Sequence, residues 1–115
     1  MATDCLFCKM VSGVIKPATI YEDDEILAFK DINPQAPVHV LVIPKRHITT
    51  LNDLKPADAA LMGKLLLVAG NIARESGVAD SGYRTVMNCN ADAGQSVWHV
   101  HLHLLGGRAM HWPPG

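Results

Sequence analysis

The sequence predicts an α+β domain built on an antiparallel sheet, and three observations lead to this prediction. Several short segments are rich in β-branched and apolar residues, one long segment has helical spacing, and the two types do not alternate regularly as in βαβ units. The chain has 115 residues, of which 49% are hydrophobic. This length suits a single domain, residues 1–115, and is too short for two ordinary domains.

The first half of the chain is expected to contain a short helix and three strands. The segment "CLFCKMVSG" has apolar residues at helical spacing and ends in Gly13, which predicts a short N-terminal helix. Residues 19–21 and 26–32 flank an acidic turn and predict a hairpin. After the breaker "NPQAP", the segment "VHVLVIP" predicts a largely buried strand over Val38–Pro44.

Residues 56–76 are predicted to form one long helix. Pro56 suits the first helical position, and Gly77 suits the residue just past the end. Two apolar stripes form one broad face that should cover the sheet: Leu61, Leu65, Val68 and Ile72, with Met62, Leu66, Ala69 and Ala73. Gly63, Leu67 and Gly70 form a further stripe, which is either a tolerated weakness of the helix or a close helix contact across a dimer.

A histidine-bearing strand is predicted near the C-terminus, after a strand over residues 83–88 and a loop over residues 89–97. In "HVHLHLL", three of the six histidines occupy alternate positions. Side chains alternate between the faces of a strand, so His99, His101 and His103 share one face while Val100, Leu102 and Leu104 face a core. A single histidine of this kind is most simply explained as a solvent-exposed surface residue, but three histidines in register are hard to explain by packing.

The spacing of these histidines favours an extended anion over a metal. Same-face neighbours on a strand lie roughly 7 Å apart, whereas metal–nitrogen bonds are only about 2 Å long. Phosphoryl transfer needs a nucleophile, an acid and donors around the developing charge, and histidine can fill each of these roles near neutral pH. The preceding loop, Gly94-Gln95-Ser96-Val97, offers a glycine, a hydroxyl and backbone N–H groups, so we expect a phosphate there.

Charge and hydropathy argue against nucleic-acid and membrane partners. The net charge is −1, and the basic residues are dispersed apart from the pair Lys45-Arg46. The longest apolar run, "LLLVA", is far too short to span a bilayer, so a cytoplasmic location is expected. Of three cysteines, Cys5 and Cys8 form a CxxC motif, which indicates reduced thiols or a metal site rather than a disulfide framework.

Several ordered motifs resemble one known family. The segment "GQSVWHVHLHLLGGR", residues 94–108, strongly resembles the signature of the histidine triad (HIT) family. The tail "HWPPG" and the segment "AFKDINPQAPVHVLVIPKRHI", residues 28–48, resemble the Hint branch of that family, the histidine triad nucleotide-binding proteins. The resemblance covers nearly the whole chain.

The resemblance implies a fold, an assembly and an activity. The fold is a five-stranded antiparallel sheet with one long helix and a short N-terminal helix, and the assembly is a homodimer. The activity is hydrolysis of purine nucleoside 5′-phosphoramidates, such as adenosine 5′-monophosphoramidate, to the nucleoside monophosphate (AMP or GMP). No organic cofactor is implied.

The resemblance also assigns catalytic roles by position. His101 would attack the α-phosphorus and form a nucleotidyl-histidine intermediate, which water would then hydrolyse. His103 would hydrogen-bond the phosphate, and Ser96 would contact the phosphate or the leaving group. His99 would orient the middle histidine, and His39 would lie beside it.

Further residues are assigned to the substrate. Asp31 would accept hydrogen bonds from the ribose hydroxyls, an apolar slot would hold the base, and the tail would reach the partner's active site and help to select the amine. For each apolar residue the alternative is ordinary core packing. The complete set is Leu6, Phe7, Phe29, Asp31, Ile32, Asn88, Gln95, Ser96, Val97, His101, His103 and Trp112.

A zinc site is implied in the same way. In several HIT proteins a CxxC near the N-terminus, a histidine after the matching strand and the first triad histidine bind zinc, and Cys5, Cys8, His47 and His99 match those positions. Two thiolates and two imidazoles would form a closed, structural zinc site. Many Hint-branch members lack these cysteines, so free reduced thiols are the alternative. If zinc binds, His99 is a ligand and cannot also shuttle protons.

Two other functions remain in view. One is a dinucleoside polyphosphate hydrolase or nucleotidyl transferase of the same family, against which the Ser96 and "HWPPG" matches argue. The other is a nucleotide- or zinc-binding interaction module with vestigial activity, against which the intact triad argues.

Overall fold

Five strands form one antiparallel sheet, which confirms the predicted fold class. The structure is a computed structural model that describes residues 4–115. The strands are β1 (Thr19–Glu22), β2 (Ile26–Lys30), β3 (Val38–Pro44), β4 (Tyr83–Val86) and β5 (Leu102–Gly106). They lie in the order β1-β2-β3-β5-β4, and every neighbouring pair is antiparallel. Pairing of β3 with β5 brings His39 beside the histidine segment.

In the described part of the chain three α-helices accompany the sheet: α1 (Leu6–Val11), α2 (Ala59–Glu75) and α3 (Asn90–Ala93). The predicted long helix begins three residues late, because Pro56–Asp58 forms a 3₁₀ turn in which the Asp58 carboxylate accepts the N–H of Lys55. Gly77 follows α2 with φ +76°, as predicted for a residue just past a helix end. Within residues 4–115, none of the helices combines the length and apolarity needed to cross a bilayer.

Helix α2 covers one face of the sheet with a narrower stripe than predicted. Its buried residues are Leu65, Val68, Ala69, Ile72 and Ala73, and they pack on the side chains of β2, β3 and β5 that point to this face. Leu66 was assigned to this stripe, but it is 54% exposed. The prediction for Leu66 is wrong because it lies about 100° around the helix from Leu65, away from the sheet.

The opposite face of the sheet carries the short helix and the histidines. A second apolar cluster forms there from Phe7, Leu27, Phe29, Leu41 and Ile43. Phe7 projects from α1 and packs edge-on against Phe29, with ring centroids 5.5 Å apart. His39 and His103 belong to the same face as Leu41, because they alternate along β3 and β5 with residues that contact α2.

The histidine segment is a strand only in its second half. Val100, Leu102 and Leu104 are buried as predicted, but β5 begins at Leu102, so His99 and His101 precede it. There the backbone N–H of Val100 donates to the carbonyl of Ile48, 2.7 Å away. Other boundaries also differ: β2 ends at Lys30 and β4 at Val86, each two residues early, and α3 occupies part of the predicted loop.

Candidate active site

His101 is held by its own backbone neighbour. Its Nδ1 lies 2.7 Å from the carbonyl oxygen of His99, and a carbonyl only accepts hydrogen bonds, so Nδ1 carries the proton. The neutral ring therefore keeps its lone pair on Nε2. His101 is 7% exposed, and Phe7 packs edge-on against it with ring centroids 5.2 Å apart. The result is an oriented imidazole with one nucleophilic nitrogen.

A hydrogen-bonded chain fixes the tautomer of His103. The backbone N–H of Gln35 donates to Nδ1 of His39 over 3.0 Å, so the proton of neutral His39 is on Nε2. That Nε2–H donates to Nδ1 of His103 at 2.9 Å and faces the Asp31 carboxylate at 3.4 Å. His103 consequently carries its own proton on Nε2, where it can donate to an anion.

The same group could be considered as a metal site, because donor atoms of Asp31, His39 and His103 lie within 4.8 Å of one another. The hydrogen bonds favour a proton chain instead. Nδ1 of His39 is occupied by an N–H donor, so its Nε2 could coordinate a metal only after losing its proton.

Burial keeps these imidazoles neutral near pH 7. It lowers the pKa of His103 to about 4, with the neighbouring His101 and His39 acting in the same direction. It also lowers the pKa of His101, although the His99 carbonyl and Asp31 act against this. Burial lowers the pKa of His39 too, against the attraction of Asp31. Neutral rings are the forms that attack a phosphorus atom.

Two of the polar residues assigned to the substrate, Asp31 and Ser96, line two separate cavities, of which the first is also lined by His39 and the second by His47. Asp31 and His39 line one of about 300 Å³, and Asp31 is fixed by accepting the N–H of Asn33 at 2.8 Å. Ser96 and Val97 line the other, of about 350 Å³, together with Leu6.

The remaining assigned residues differ in their surroundings. Phe7 and Phe29 are each 2% exposed and belong to the apolar core cluster, as the core-packing alternative describes. Ile32 is 99% and Trp112 82% exposed. Asn88 is half-buried after the end of β4.

The side chain of Gln95 forms hydrogen bonds within the protein. Its buried amide accepts the N–H of Asn90 at 2.9 Å and donates to the carbonyls of Thr49 and Val97 at 2.9 and 3.1 Å. These bonds hold the loop that presents Ser96. Asn90 has φ +66°, a conformation that few non-glycine residues adopt, and the bond from its N–H to Gln95 helps to stabilise it.

A second cluster joins Cys5, Cys8, His47 and His99, whose donor atoms all lie within 4.8 Å of one another. Nε2 of the fully buried His99 lies 2.7 Å from the carbonyl of Pro44, so it carries the proton and Nδ1 is left as a lone pair facing the cluster. His47 also turns Nδ1 inward, while its Nε2 lies 3.2 Å from the Thr49 hydroxyl.

The separations in this cluster match a tetrahedral zinc site. Bond lengths of about 2.3 Å to sulfur and 2.0–2.1 Å to nitrogen place a sulfur and a nitrogen ligand about 3.5 Å apart and two nitrogens about 3.3 Å apart. The sulfur–nitrogen distances are 3.4 Å for Cys5–His99, 3.3 Å for Cys8–His47 and 3.6 Å for Cys8–His99. The two Nδ1 atoms are 3.2 Å apart. The donor set therefore fits the metal.

Backbone groups and Thr49 complete the site, and no sequence motif predicted their contribution. The carbonyls of His99 and Pro44 and the N–H of Gln35 set the histidine tautomers. A backbone group has no residue type, so only the fold reveals it. Thr49 was detectable in principle, because it lies two residues after His47, but one threonine near a histidine is not a specific signal.

Comparison with known proteins identifies the family of this chain. The family model described as HIT domain matches residues 12–110. An uncharacterised HIT-like protein of Synechocystis is 52% identical over the full length of both chains. The purine nucleoside phosphoramidase of Escherichia coli K12 is 44% identical over 110 residues, covering 96% of this chain and 92% of its own.

Solved structures give the same result. The HIT family hydrolase from Legionella pneumophila superposes with a TM-score of 0.96 at 52% identity, covering 97% of this chain and 100% of its own. A histidine triad protein from Clostridium difficile superposes with a TM-score of 0.91 at 41% identity, covering 95% of each chain. The chain belongs to the HIT family, and its relatives include hydrolases.

Proposed function

We propose that this protein cleaves the P–N bond of purine nucleoside 5′-phosphoramidates and releases the nucleoside monophosphate. The observation that carries the proposal is the tautomer of His101, whose Nδ1–H is held by the His99 carbonyl so that Nε2 is free to attack. The relative from Escherichia coli named purine nucleoside phosphoramidase is similar over almost the whole chain.

The reaction would proceed in two displacements. Nε2 of His101 attacks the α-phosphorus, the P–N bond breaks, and the amine takes up a proton as it leaves. Water then attacks the phosphorus, the bond to Nε2 breaks, and the monophosphate is released. Through both steps the Nε2–H of His103 would donate to a phosphate oxygen, held in place by the chain from Gln35 through His39.

The nucleoside would lie against the surfaces next to His103. Asp31 keeps acceptor capacity beyond its bonds to Asn33 and His39 and would take the ribose hydroxyls. The exposed side chains of Leu6 and Ile32 would contact the base, whereas Phe7 and Phe29 would support that surface from below. Ser96 would lie near the phosphate or the leaving amine, on the loop that Gln95 holds.

The proposal includes a structural zinc ion held by Cys5, Cys8, His47 and His99. When bound, zinc would supply fixed coordination to four protein ligands, which leaves no position for a substrate or a water. The side chains of the cluster would tie α1 to the sheet.

A homodimer is also proposed. The exposed apolar residues Leu66, Leu67 and Tyr83 are 54%, 72% and 41% exposed, and a second copy of the chain would cover them. The tail carrying Trp112 would then be free to reach the partner's site.

The intermediate is tested directly by mass spectrometry. Protein quenched during turnover of adenosine 5′-monophosphoramidate should carry an added AMP group on the peptide that contains His101. A His101→Ala variant should show no adduct and lose turnover by at least about 10³-fold. Unchanged turnover in that variant would refute the proposed nucleophile. Faster turnover of a diadenosine polyphosphate than of the phosphoramidate would assign the protein to the other reaction of this family.

A further inference from the structure

His99 belongs to both clusters at once. Its side chain faces the sulfur atoms of Cys5 and Cys8 at 3.4 and 3.6 Å. Its carbonyl oxygen holds the Nδ1–H of His101 at 2.7 Å. The ring of His99 is fully buried and bonded to the Pro44 carbonyl, so a shift of its side chain is transmitted to the backbone group that orients His101.

Phe7 provides a second connection between the thiols and His101. It lies between Cys5 and Cys8 in the chain and packs edge-on against His99 and His101, with ring centroids 5.8 and 5.2 Å apart. Helix α1 has only six residues, and a helix of this length does not persist without tertiary contacts. The position of Phe7 thus depends both on its own packing against Phe29 and on what holds the two cysteines against the sheet.

The two thiols are close to each other and accessible. Their sulfur atoms lie within 4.8 Å, and both residues are half-buried rather than enclosed. Cys5 lines the cavity of about 350 Å³ that also contains Ser96. The Cys-x-x-Cys spacing at the start of a helix brings the two side chains together, since Cys8 donates its N–H to the sulfur of Cys5 at 3.3 Å. A short rotation of either side chain can therefore close a disulfide.

We propose that Cys5 and Cys8 form a thiol-oxidation site at which a peroxide converts the pair to a disulfide and thereby displaces His101. The effect on turnover rests on the proposed phosphoramidase function. The displacement of His101 itself does not, because it follows from contacts among residues 5–8, 99 and 101.

The chemistry balances with hydrogen peroxide as the oxidant. In the zinc-loaded protein the two thiolates lose two electrons and one S–S bond forms, while the O–O bond of the peroxide breaks and its oxygens take up two protons from solvent to leave as two water molecules. The sulfur atoms of a disulfide no longer offer the two thiolates that complete the zinc site. The Nδ1 atoms of His47 and His99 then lose their shared partner, and α1 loses one of its two attachments to the sheet, the other being the packing of Phe7 on Phe29. A reducing dithiol reverses the step.

The test uses the full-length protein, loaded with zinc and treated with hydrogen peroxide. Peptide mapping should find a Cys5–Cys8 disulfide, a chelating dye should detect about one zinc ion released per chain, and the ring signals of His101 in the NMR spectrum should shift. Turnover of the phosphoramidate should fall at least tenfold. A dithiol with added zinc should restore the NMR signals and the turnover.

Two variants serve as controls. Cys89→Ser removes the remaining cysteine and should respond to peroxide as the wild type does. Cys8→Ser should form no disulfide, and its residual turnover should not respond to peroxide. If Cys8→Ser does not fold, the reversible oxidation of the wild type still decides the matter.

A disulfide that forms while the His101 signals and turnover stay unchanged would overturn the proposal. Oxidation confined to Cys89 would overturn it as well. The NMR measurement needs no substrate, so it judges the displacement of His101 separately from the activity. Absence of phosphoramidate turnover in the reduced, zinc-loaded protein would count against the proposed function instead.

Discussion

At the scale of single residues, His101 and His103 take opposite tautomers although they are two positions apart. The carbonyl of His99 keeps a proton on Nδ1 of His101, whereas the chain from Gln35 through His39 keeps a proton on Nε2 of His103. One ring therefore presents a lone pair and the other presents a donor. The HxHxH pattern supplies the two rings, but the backbone assigns their roles.

Gln95 shows how one buried side chain can position a reactive loop. We expect Gln95→Glu to lower the free energy of unfolding by about 1–3 kcal/mol, because a carboxylate would face the carbonyls of Thr49 and Val97 without donors for them. Displacement of Ser96 should also lower kcat for the phosphoramidate. Urea unfolding and steady-state kinetics measure both effects.

The other glutamine provides the matched control for that change. Gln35 is exposed, and its side chain donates only to the carbonyl of Asn33. Gln35→Glu should leave the free energy of unfolding within about 0.5 kcal/mol of the wild-type value. Equal effects of the two substitutions would show that the bonds of Gln95 contribute nothing specific.

At the scale of elements, the sequence predicted which segments are helices and strands but not how the histidine segment enters the sheet. Alternation of polar and apolar residues predicted the buried face of Val100, Leu102 and Leu104 correctly. It could not show that β5 begins at Leu102, because that boundary depends on the contact of Val100 with the distant Ile48 and on the burial of His99 among the cysteines.

The candidate site also has one part that the sequence predicted and one part that it did not. The HxHxH motif and the Cys-x-x-Cys motif were predictable because both chemistries require those residue types at short spacing. The meeting of Cys5 with His47 and His99 followed only from the resemblance, and the three bonds of Gln95 were not foreseen at all. The zinc cluster and the bond from Gln95 to Thr49 depend on contacts between residues more than forty positions apart, which a local pattern does not encode.

Strand β5 ends at a glycine that the packing requires. A Cβ atom at Gly106 would lie 2.9 Å from a methyl carbon of Val78 and 3.0 Å from its Cβ, and Val78 is only 6% exposed. We expect Gly106→Ala to lower the free energy of unfolding by about 1–3 kcal/mol through overpacking. Thermal or urea unfolding of the purified protein measures it.

A substitution at Val78 tests whether overpacking causes the loss of stability in Gly106→Ala. Val78→Ala removes the methyl groups that a side chain at position 106 would strike. In the double variant the loss should therefore be smaller than the sum of the two single losses, by at least about 0.5 kcal/mol. Strict additivity would mean that the cost of Gly106→Ala comes from elsewhere.

At the scale of the whole molecule, the buried histidines link stability to pH. Burial lowers the pKa of His103 from 6.5 to about 4, so the unfolded chain binds a proton before the folded protein does. The free energy of unfolding should therefore fall as the pH drops below 6.5 and stop changing, for this group, below about 4. His103 should contribute on the order of 1–2 kcal/mol to the loss between pH 7 and pH 5.

Urea unfolding across this pH range, with a chelator present to keep metal out of the comparison, measures the linkage. The His103→Gln variant removes one titrating group, so its unfolding free energy should decline less steeply than that of the wild type. His39, His99 and His101, whose pKa values burial also lowers, account for a remaining decline. The same decline in both proteins would contradict the role of His103.

The exposed surface beside strand β4, at the edge of the sheet, is where we expect two copies of the chain to associate. Leu66 and Leu67 lie one turn before Gly70 on α2. Tyr83 lies on the edge strand β4, and its hydroxyl oxygen would be 3.4 Å from a Cβ atom placed on Gly70. These exposed apolar residues form a patch beside β4, an edge strand that pairs with β5 on one side, and soluble proteins generally cover such a combination. A second copy of the chain, related by a two-fold axis, would cover it.

We expect the wild type to sediment as a dimer and Leu67→Glu to sediment as a monomer, because the substitution places two carboxylates in a self-complementary interface. Val14→Glu is the matched control: Val14 is 74% exposed, about as much as Leu67 at 72%, but lies outside the patch, on the loop after α1. It should leave the dimer intact. A monomeric wild type, or equal behaviour of the two variants, would contradict the assembly. A confirmed dimer would favour a helix contact at Gly63 and Leu67 as the explanation of the glycine stripe. A Cβ at Gly63 would meet nothing within 4 Å in its own chain, whereas a Cβ at Gly70 would lie in ordinary van der Waals contact with the Tyr83 hydroxyl, at 3.4 Å.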